Sequence, residues 1–214
     1  MNIMKYGRTY HFPFSPGATN DDKIQKNWEK ILVHEIVMTE KLDGENTCLK
    51  KDGVFARSHA TPTTNPWAIN MIQIWNRVKY SLGNLEIFGE NLYGVHSIEY
   101  TNLKDFFYVF AVRENETWLS WDDVKLYAEA LDLLTVPEIK KGYFTAQQIK
   151  TQIKENLLLG SNLGGVCEGF VFRTSNSFSI NEFPNKVLKY VRENHVQTDT
   201  HWTKNWKKAK LSYE

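Results

Sequence analysis

The sequence predicts an α+β domain in which short strands build an antiparallel or mixed sheet and helices stand on its flanks. Three observations carry this prediction. Seven short runs rich in β-branched and aromatic residues fill the middle of the chain. Three other segments have helical spacing with matching end signals. The two kinds of element do not alternate in the regular way that builds a doubly wound parallel sheet. No glycine-rich dinucleotide fingerprint competes with this reading.

In chain order, Ile36–Thr39, Thr47–Lys50 and Val54–Ser58 are the first expected strands. Asn65-Pro66 then supplies a cap and a first-turn proline to a helix reaching towards Tyr80. Its expected apolar side is Ile69, Ile72, Trp75 and Val78, with Gly83 near its end. Leu85–Phe88 and Phe106–Val112 follow as strands. Ser120 with Asp123, and Thr145 with Gln148, have the spacing of capping boxes. They open helices carrying Val124, Tyr127, Ala128 and Leu131 in one case, and Ile149, Ile153 and Leu157 in the other, with Gly160 closing the second. Gly169–Arg173 and Val187–Val191 complete the strands.

A chain of 214 residues suits one buried core, and no repeat, low-complexity segment or Gly/Ser linker marks a boundary. Residues 1–214 are therefore expected to form a single domain in which 193–214 make a basic, tryptophan-containing tail. With 42% hydrophobic and 24% charged residues, the composition excludes disordered and fibrous classes. No apolar run approaches the roughly 18 residues that a membrane span requires, and the N-terminus lacks the apolar stretch of a secretory signal. An intracellular (cytoplasmic) protein without membrane contact is the expectation, and a monomer. Cys48 and Cys167 have no metal-ligand spacing, so neither a disulfide framework nor a zinc site is indicated, and both read as small core thiols. The net charge of +1 gives no global attraction for nucleic acid, so any polyanion contact must be local.

The most informative segment is Glu40-Lys41-Leu42-Asp43-Gly44-Glu45-Asn46, which sets a lysine among carboxylates after an apolar strand and before a glycine turn. Alone it reads equally as a charged hairpin turn with Asp43-Gly44 as its dipeptide. Four further segments follow in a fixed order: Phe88-Gly89-Glu90, Phe107-Tyr108-Val109-Phe110, Glu168-Gly169-Phe170-Val171 and Leu188-Lys189-Tyr190-Val191. With Lys41-Leu42-Asp43-Gly44 as the KxDG motif, the chain from Glu40 to about Arg192 resembles the covalent nucleotidyltransferase superfamily of ligases and mRNA capping enzymes. Two positions after the motif glycine, DNA ligases and capping enzymes typically carry arginine, whereas the nick-sealing RNA ligase family carries asparagine, as Asn46 does here. Glu40 and Arg57 also resemble that RNA ligase branch.

The resemblance implies a nucleotidyltransferase, ATP-grasp-like ligase adenylation domain that joins 5′-phosphate and 3′-hydroxyl ends with ATP and Mg2+ or Mn2+. Lys41 is the implied nucleophile, carrying AMP covalently, and Lys189 the second catalytic residue. Glu40, Asp43, Gly44, Asn46, Arg57, Glu90, Phe110 and Lys189 are the implied nucleotide contacts, with Phe110 stacking on adenine, Glu40 or its backbone reading the adenine edge and Glu90 on the ribose. Glu168 is the implied metal ligand. A lysine amine at its ordinary pKa of about 10.4 is protonated and cannot attack. Desolvation, a divalent cation and Lys189 are therefore expected to lower the pKa of Lys41. The glycines beside Glu90 and Glu168 are expected to let backbone approach a ligand.

The fifth motif usually has two lysines on alternate positions, but Val191 stands at the second, leaving Arg192 or Lys186 as substitutes. Ligases and capping enzymes generally add an OB-fold or helical module after it. Only about twenty residues follow Arg192, so no C-terminal domain is expected, and a partner protein supplying the missing module is a possible complement. Those residues place Trp202 and Trp206 on one face of an expected helix with Lys204, Lys207, Lys208 and Lys210 around it, either docked on the core or tracking a phosphate backbone. His11, His59, His195 and His201 lack ligand spacing and are assigned no chemistry. The aromatic, proline-rich stretch Tyr10–Gly17 reads equally as a core cover or a substrate contact. The expected partner is RNA ends or a nicked duplex, including an RNA/DNA hybrid. The alternatives are a DNA ligase, a GTP-dependent capping-type enzyme, and a non-catalytic nucleic-acid-binding protein of the same fold.

Overall fold

The structure, a computed structural model, describes residues 5–57, 61–193 and 206–214. Its strands are β1 (Tyr10–His11), β2 (Ile36–Lys41), β3 (Glu45–Lys50), β4 (Gly53–Ala56), β5 (Leu85–Asn91), β6 (Phe107–Glu114), β7 (Thr117–Trp118), β8 (Leu134–Thr135), β9 (Glu138–Gly142), β10 (Gly169–Thr174), β11 (Phe178–Ser179) and β12 (Val187–Val191). The helices are α1 (Ile69–Val78), α2 (Trp121–Ala130), α3 (Ala146–Leu159) and the single turn α4 (Phe183–Lys186).

The strands form two sheets, one ordered β1-β12-β10-β2-β9 and the other β11-β7-β6-β5-β3-β4 with β8 beside β6. Pairing is antiparallel except for β1 with β12 and β6 with β8, which makes both sheets mixed. This is the expected α+β class. The first sheet buries Ile36, Met38, Phe170, Phe172 and Leu188 against Ile149 and Ile153 of α3. The second buries Leu49, Ile87, Val109 and Val112 against Met71 and Ile74 of α1 and Val124 and Ala128 of α2. A third cluster, with Cys48, Phe88, Ala111 and Trp118 from one sheet and Phe183 and Val187 from the other side, joins the two sheets. Each large side chain buried this way stabilises the fold by roughly 1.5–3 kcal/mol.

The ends of α2 and α3 follow their sequence signals, whereas Asn65 makes no side-chain cap: it precedes a 3-10 turn, Pro66–Ala68, and α1 begins only at Ile69. Thr145 and Gln148 form the full reciprocal capping box of α3, and Gly160, at φ 80°, ends it. Ser120 accepts from the Asp123 backbone N–H at the start of α2. In α1 the expected apolar side is displaced: Ile69 and Ile72 are exposed, whereas Met71, Ile74 and Val78 are buried and Trp75 packs beside them. The reason is the period. Positions nine apart on a helix lie about half a turn from each other, so a strict repeat of three cannot stay on one face.

The tail also differs from expectation. Trp202, Lys204, His195 and His201 lie outside the described residues, as does His59, but Trp206–Glu214 is not helical. It runs as a strap over the segment 93–103. Val95 N–H donates to Lys207 O, Ala209 N–H to Tyr93 O and Ser212 N–H to Leu103 O, while Trp206 packs on Trp67 and Tyr93. The Tyr10–Gly17 stretch follows its core-cover reading: Phe12 is a core residue and Ser15 is buried against β12, and it is the segment just before the stretch that reaches the cleft described next.

Candidate active site

Between the two sheets lies a cleft of about 770 Å³. Thr39, Lys41, Val171 and Lys189 line it from one sheet, and Asn46, Glu90, Phe110 and Trp118 from the other. Strand alternation explains the first set. In β2, Thr39 and Lys41 share a face, and Lys189, Val171 and Thr39 stand in one cross-strand row.

Lys41 is the last residue of β2 and pairs with Gly169, which brings the preceding residue of the neighbouring chain segment, Glu168, alongside it. Lys41 Nζ donates to Glu168 Oε2 at 2.6 Å. Burial works against the charge on Lys41, but the carboxylates of Glu168, Glu90 and Asp43 outweigh it and raise its pKa. The expected lowering by burial is present, but these carboxylates outweigh it and hold the lysine as an ammonium. Lys189 shows the opposite balance. Burial and the nearby Lys41 lower its pKa, against the pull of Asp22, whose Oδ1 lies 3.5 Å from Lys189 Nζ.

Glu168 is only 5% exposed, and burial raises its pKa although Lys41 opposes the shift. Glu90 is pushed up to about 8, first by burial and then by the neighbouring Glu168 and Asp43, against Lys41. Its Oε1 accepts the Gly44 backbone N–H at 3.0 Å, so Gly44 fixes the glutamate. The glycines beside the two glutamates have a different reason from the one expected. A Cβ on Gly169 would lie 2.0 Å from Tyr190 O, and one on Gly89 2.5 Å from the Phe107 ring, so it is the protein's own neighbouring strand that needs the space.

Asp43 does not line the cleft. Its Oδ2 accepts the backbone N–H groups of Ser97 and Ile98 at 2.8 and 3.0 Å, and its own N–H donates to the Tyr100 hydroxyl at 2.8 Å. The residue thus fastens the lysine turn to the segment after β5. Glu40 alternates to the face opposite Lys41, where its carboxylate accepts both Asn162 N–H and Asn162 Nδ2–H, so only its backbone is offered to the cleft. Asn46 Oδ1 is buried without a hydrogen-bond partner among the described residues, as an acceptor kept for a ligand is. Arg57 is exposed on the rim. Neither proposed substitute for the missing lysine lines the cleft: Lys186 contacts His34 and Glu182, and Arg192 reaches Glu193 O.

The far end of the cleft is aromatic. Tyr6 sets its ring edge-on to Phe110, Trp118 and Phe183, about 5 Å away in each case. Arg173 is buried there, donating to Leu119 O and Thr174 O.

Among the described residues no group of three or more His, Cys, Asp or Glu is placed to hold a metal ion. The buried Glu168 carboxylate beside Lys41 fits an ion of the Mg2+ kind, which keeps several waters and binds through one or two carboxylates together with substrate phosphates.

Residues 34–191 match the RNA ligase family, about three quarters of the chain. The chain belongs to the RNA ligase family. Solved structures agree in fold. An archaeal ATP-dependent RNA ligase superposes with a TM-score of 0.63 at 13% identity, covering 89% of this chain and 48% of that one. A protein of Aquifex aeolicus assigned as an ATP-dependent DNA ligase gives 0.59 at 21%, with 89% and 50% covered. A mutant RNA ligase of Naegleria gruberi with ATP and Mn gives 0.57 at 18%, with 88% and 61% covered. The chain thus spans about half to three fifths of the length of these structures. A comparison with curated protein sequences gives no match.

Several residues of this RNA ligase family cleft carry no signal in the linear sequence. Tyr6, Arg8, Asp22, Trp67 and His96 line it in this way, and Arg173 lines it as well. Arg173 alone had a usable cue, because it lies on the same strand face as Val171 in a run already singled out.

Proposed function

We propose that the chain is an ATP-dependent RNA ligase joining 5′-phosphate to 3′-hydroxyl ends through a lysyl-AMP on Lys41. The observation that carries this reading is that Lys41, which lines the cleft together with Glu90, Lys189 and Phe110, has its amine paired with the buried Glu168 carboxylate, which does not itself line the cleft.

In the first step Lys41 Nζ, once it has given up a proton, attacks the α-phosphorus of ATP. The P–N bond forms as the bond to pyrophosphate breaks. An RNA 5′-phosphate oxygen then attacks the same phosphorus, releasing the lysine and leaving AMP on the end. Finally a 3′-hydroxyl attacks the end phosphate, its proton is lost, and AMP departs. Glu168 would hold a divalent cation, which when bound supplies positive charge that weakens a neighbouring amine's hold on its proton. Glu90, protonated near neutrality, can both donate to and accept from a ribose hydroxyl. Lys189 places a point charge, and Arg57 a planar fork, towards phosphates. Phe110 stacks on the adenine, whose edge meets the Glu40 backbone. Among the described residues no helix is long and apolar enough to cross a membrane.

The test is incubation with α-labelled ATP and Mg2+, followed by denaturation. A protein-bound label that is acid-labile and absent from Lys41→Ala is expected, along with its chase onto 5′-phosphorylated RNA. Absence of the label from the unaltered chain overturns the reading. Label from GTP rather than ATP points to capping chemistry, and a chase onto DNA alone points to a DNA ligase.

A further inference from the structure

ATP brings about four negative charges to this cleft, and most of its cations are already committed. Lys41 is held by Glu168 and is spent as the nucleophile. Lys189 is engaged by Asp22. Arg173 is 4% exposed and bound to two backbone carbonyls among aromatic rings. In the cross-strand row of Lys41, the place on β12 is Val191, which is 2% exposed and has both its backbone N–H and C=O on Ser15 Oγ. That position offers no charge.

Arg8 lines the same cleft from the segment before β1. β1 runs parallel to β12, with His11 opposite Lys189, so this segment approaches along the Lys189 edge. The Arg8 guanidinium donates to the neutral carbonyl of Asp21, one residue from the Asp22 carboxylate that engages Lys189. Two cations are thus brought to one wall through consecutive residues. Asp22 itself is locked by the Thr19 backbone N–H and hydroxyl, so it holds its place as the nucleotide arrives. An exposed guanidinium on a carbonyl is readily re-aimed, and its planar fork matches two phosphate oxygens.

We propose that Arg8 binds the β- and γ-phosphates of the incoming triphosphate, doing beside Lys189 what Val191 cannot. This rests on the lysyl-AMP reading of the cleft. Arg8 then recognises the pyrophosphate that leaves and has no contact once AMP is on Lys41.

The test compares the full chain with its Arg8→Gln and Arg8→Lys variants, using AMP and the uncleavable α,β-methylene analogue of ATP as probes in Mg2+. Arg8→Gln is expected to weaken analogue binding about 10-fold or more, Arg8→Lys to restore part of it, and AMP binding to change less than about 2-fold. Joining of RNA already carrying a 5′-adenylyl group is expected to be unaffected. Equal losses for analogue and AMP, or no loss for either, overturns the proposal. Neither probe requires an adduct, so failure of the chain to label Lys41 sinks the ligase reading separately from this one.

Discussion

Lys41 and Glu168 meet at 2.6 Å because β2 and β10 pair with Lys41 opposite Gly169, and the pair makes the resting nucleophile a cation. Glu168→Gln removes the largest of the charges that raise the Lys41 pKa. The variant is expected to carry more neutral amine and to react at Lys41 with an acylating reagent about 10-fold faster near pH 8, read by mass spectrometry. Adenylylation by ATP should nevertheless fall at least about 100-fold, since the same carboxylate is the proposed cation ligand. Parallel losses in both assays would show that Glu168 only holds the strand.

Glu90 gives the ligand-free protein a distinct pH dependence. Its folded pKa, about 8, lies above that of an exposed carboxyl. Between those values the folded state binds the extra proton, so this contribution is complete at low pH and is lost as pH rises through about 8. Glu90→Gln should flatten the fall in stability between about pH 5 and 8 by an amount on the order of a few kcal/mol, measured by urea unfolding across that range. A slope unchanged from the parent chain would count against the raised value.

These two sites show what the linear chain reveals. Lys41, Glu90, Glu168 and Lys189 were legible because each sits in a short run that resembles a family motif, the first three at or beside a strand end and Lys189 in the middle of β12. Tyr6, Arg8 and Asp22 were not, because they reach the cleft through a two-residue parallel strand and loop contacts that no periodicity marks. Asp43 was legible as important but not in its role. A carboxylate after the lysine serves a ligand or a backbone equally well, and the deciding amides are more than fifty residues away. The two cap signals needed only residues three apart, and both helices start where they predict, α3 with the full box and α2 with the Ser120 half of it.

Asp43→Ala should therefore act first on stability. It strips the Ser97 and Ile98 amides of a charged acceptor, at a loss of about 2–4 kcal/mol, or roughly 4–16 °C in Tm for a chain of this size. Asp43→Asn, which keeps an acceptor oxygen, should recover about half. If Asp43→Ala keeps its Tm but loses nucleotide affinity, the carboxylate serves the ligand instead.

The strap at Trp206–Glu214 extends the same chain of support. It bonds to Tyr93, Val95 and Leu103, and the segment it covers carries the amides that hold Asp43 and so the turn after Lys41. Ala209 is its buried anchor, 5% exposed in the core cluster of the second sheet. An unpaired carboxylate buried there would cost several kcal/mol, more than a few backbone bonds return, so Ala209→Asp should release the strap rather than unfold the domain. Hydrogen exchange is expected to quicken about 10-fold or more at Val95, Ala209 and Ser212, and more modestly at Ser97 and Ile98, while the amides of β10 keep their protection. Faster exchange throughout β10 would mean that the strap supports the whole domain, and no change at Ser97 and Ile98 would sever it from the lysine turn.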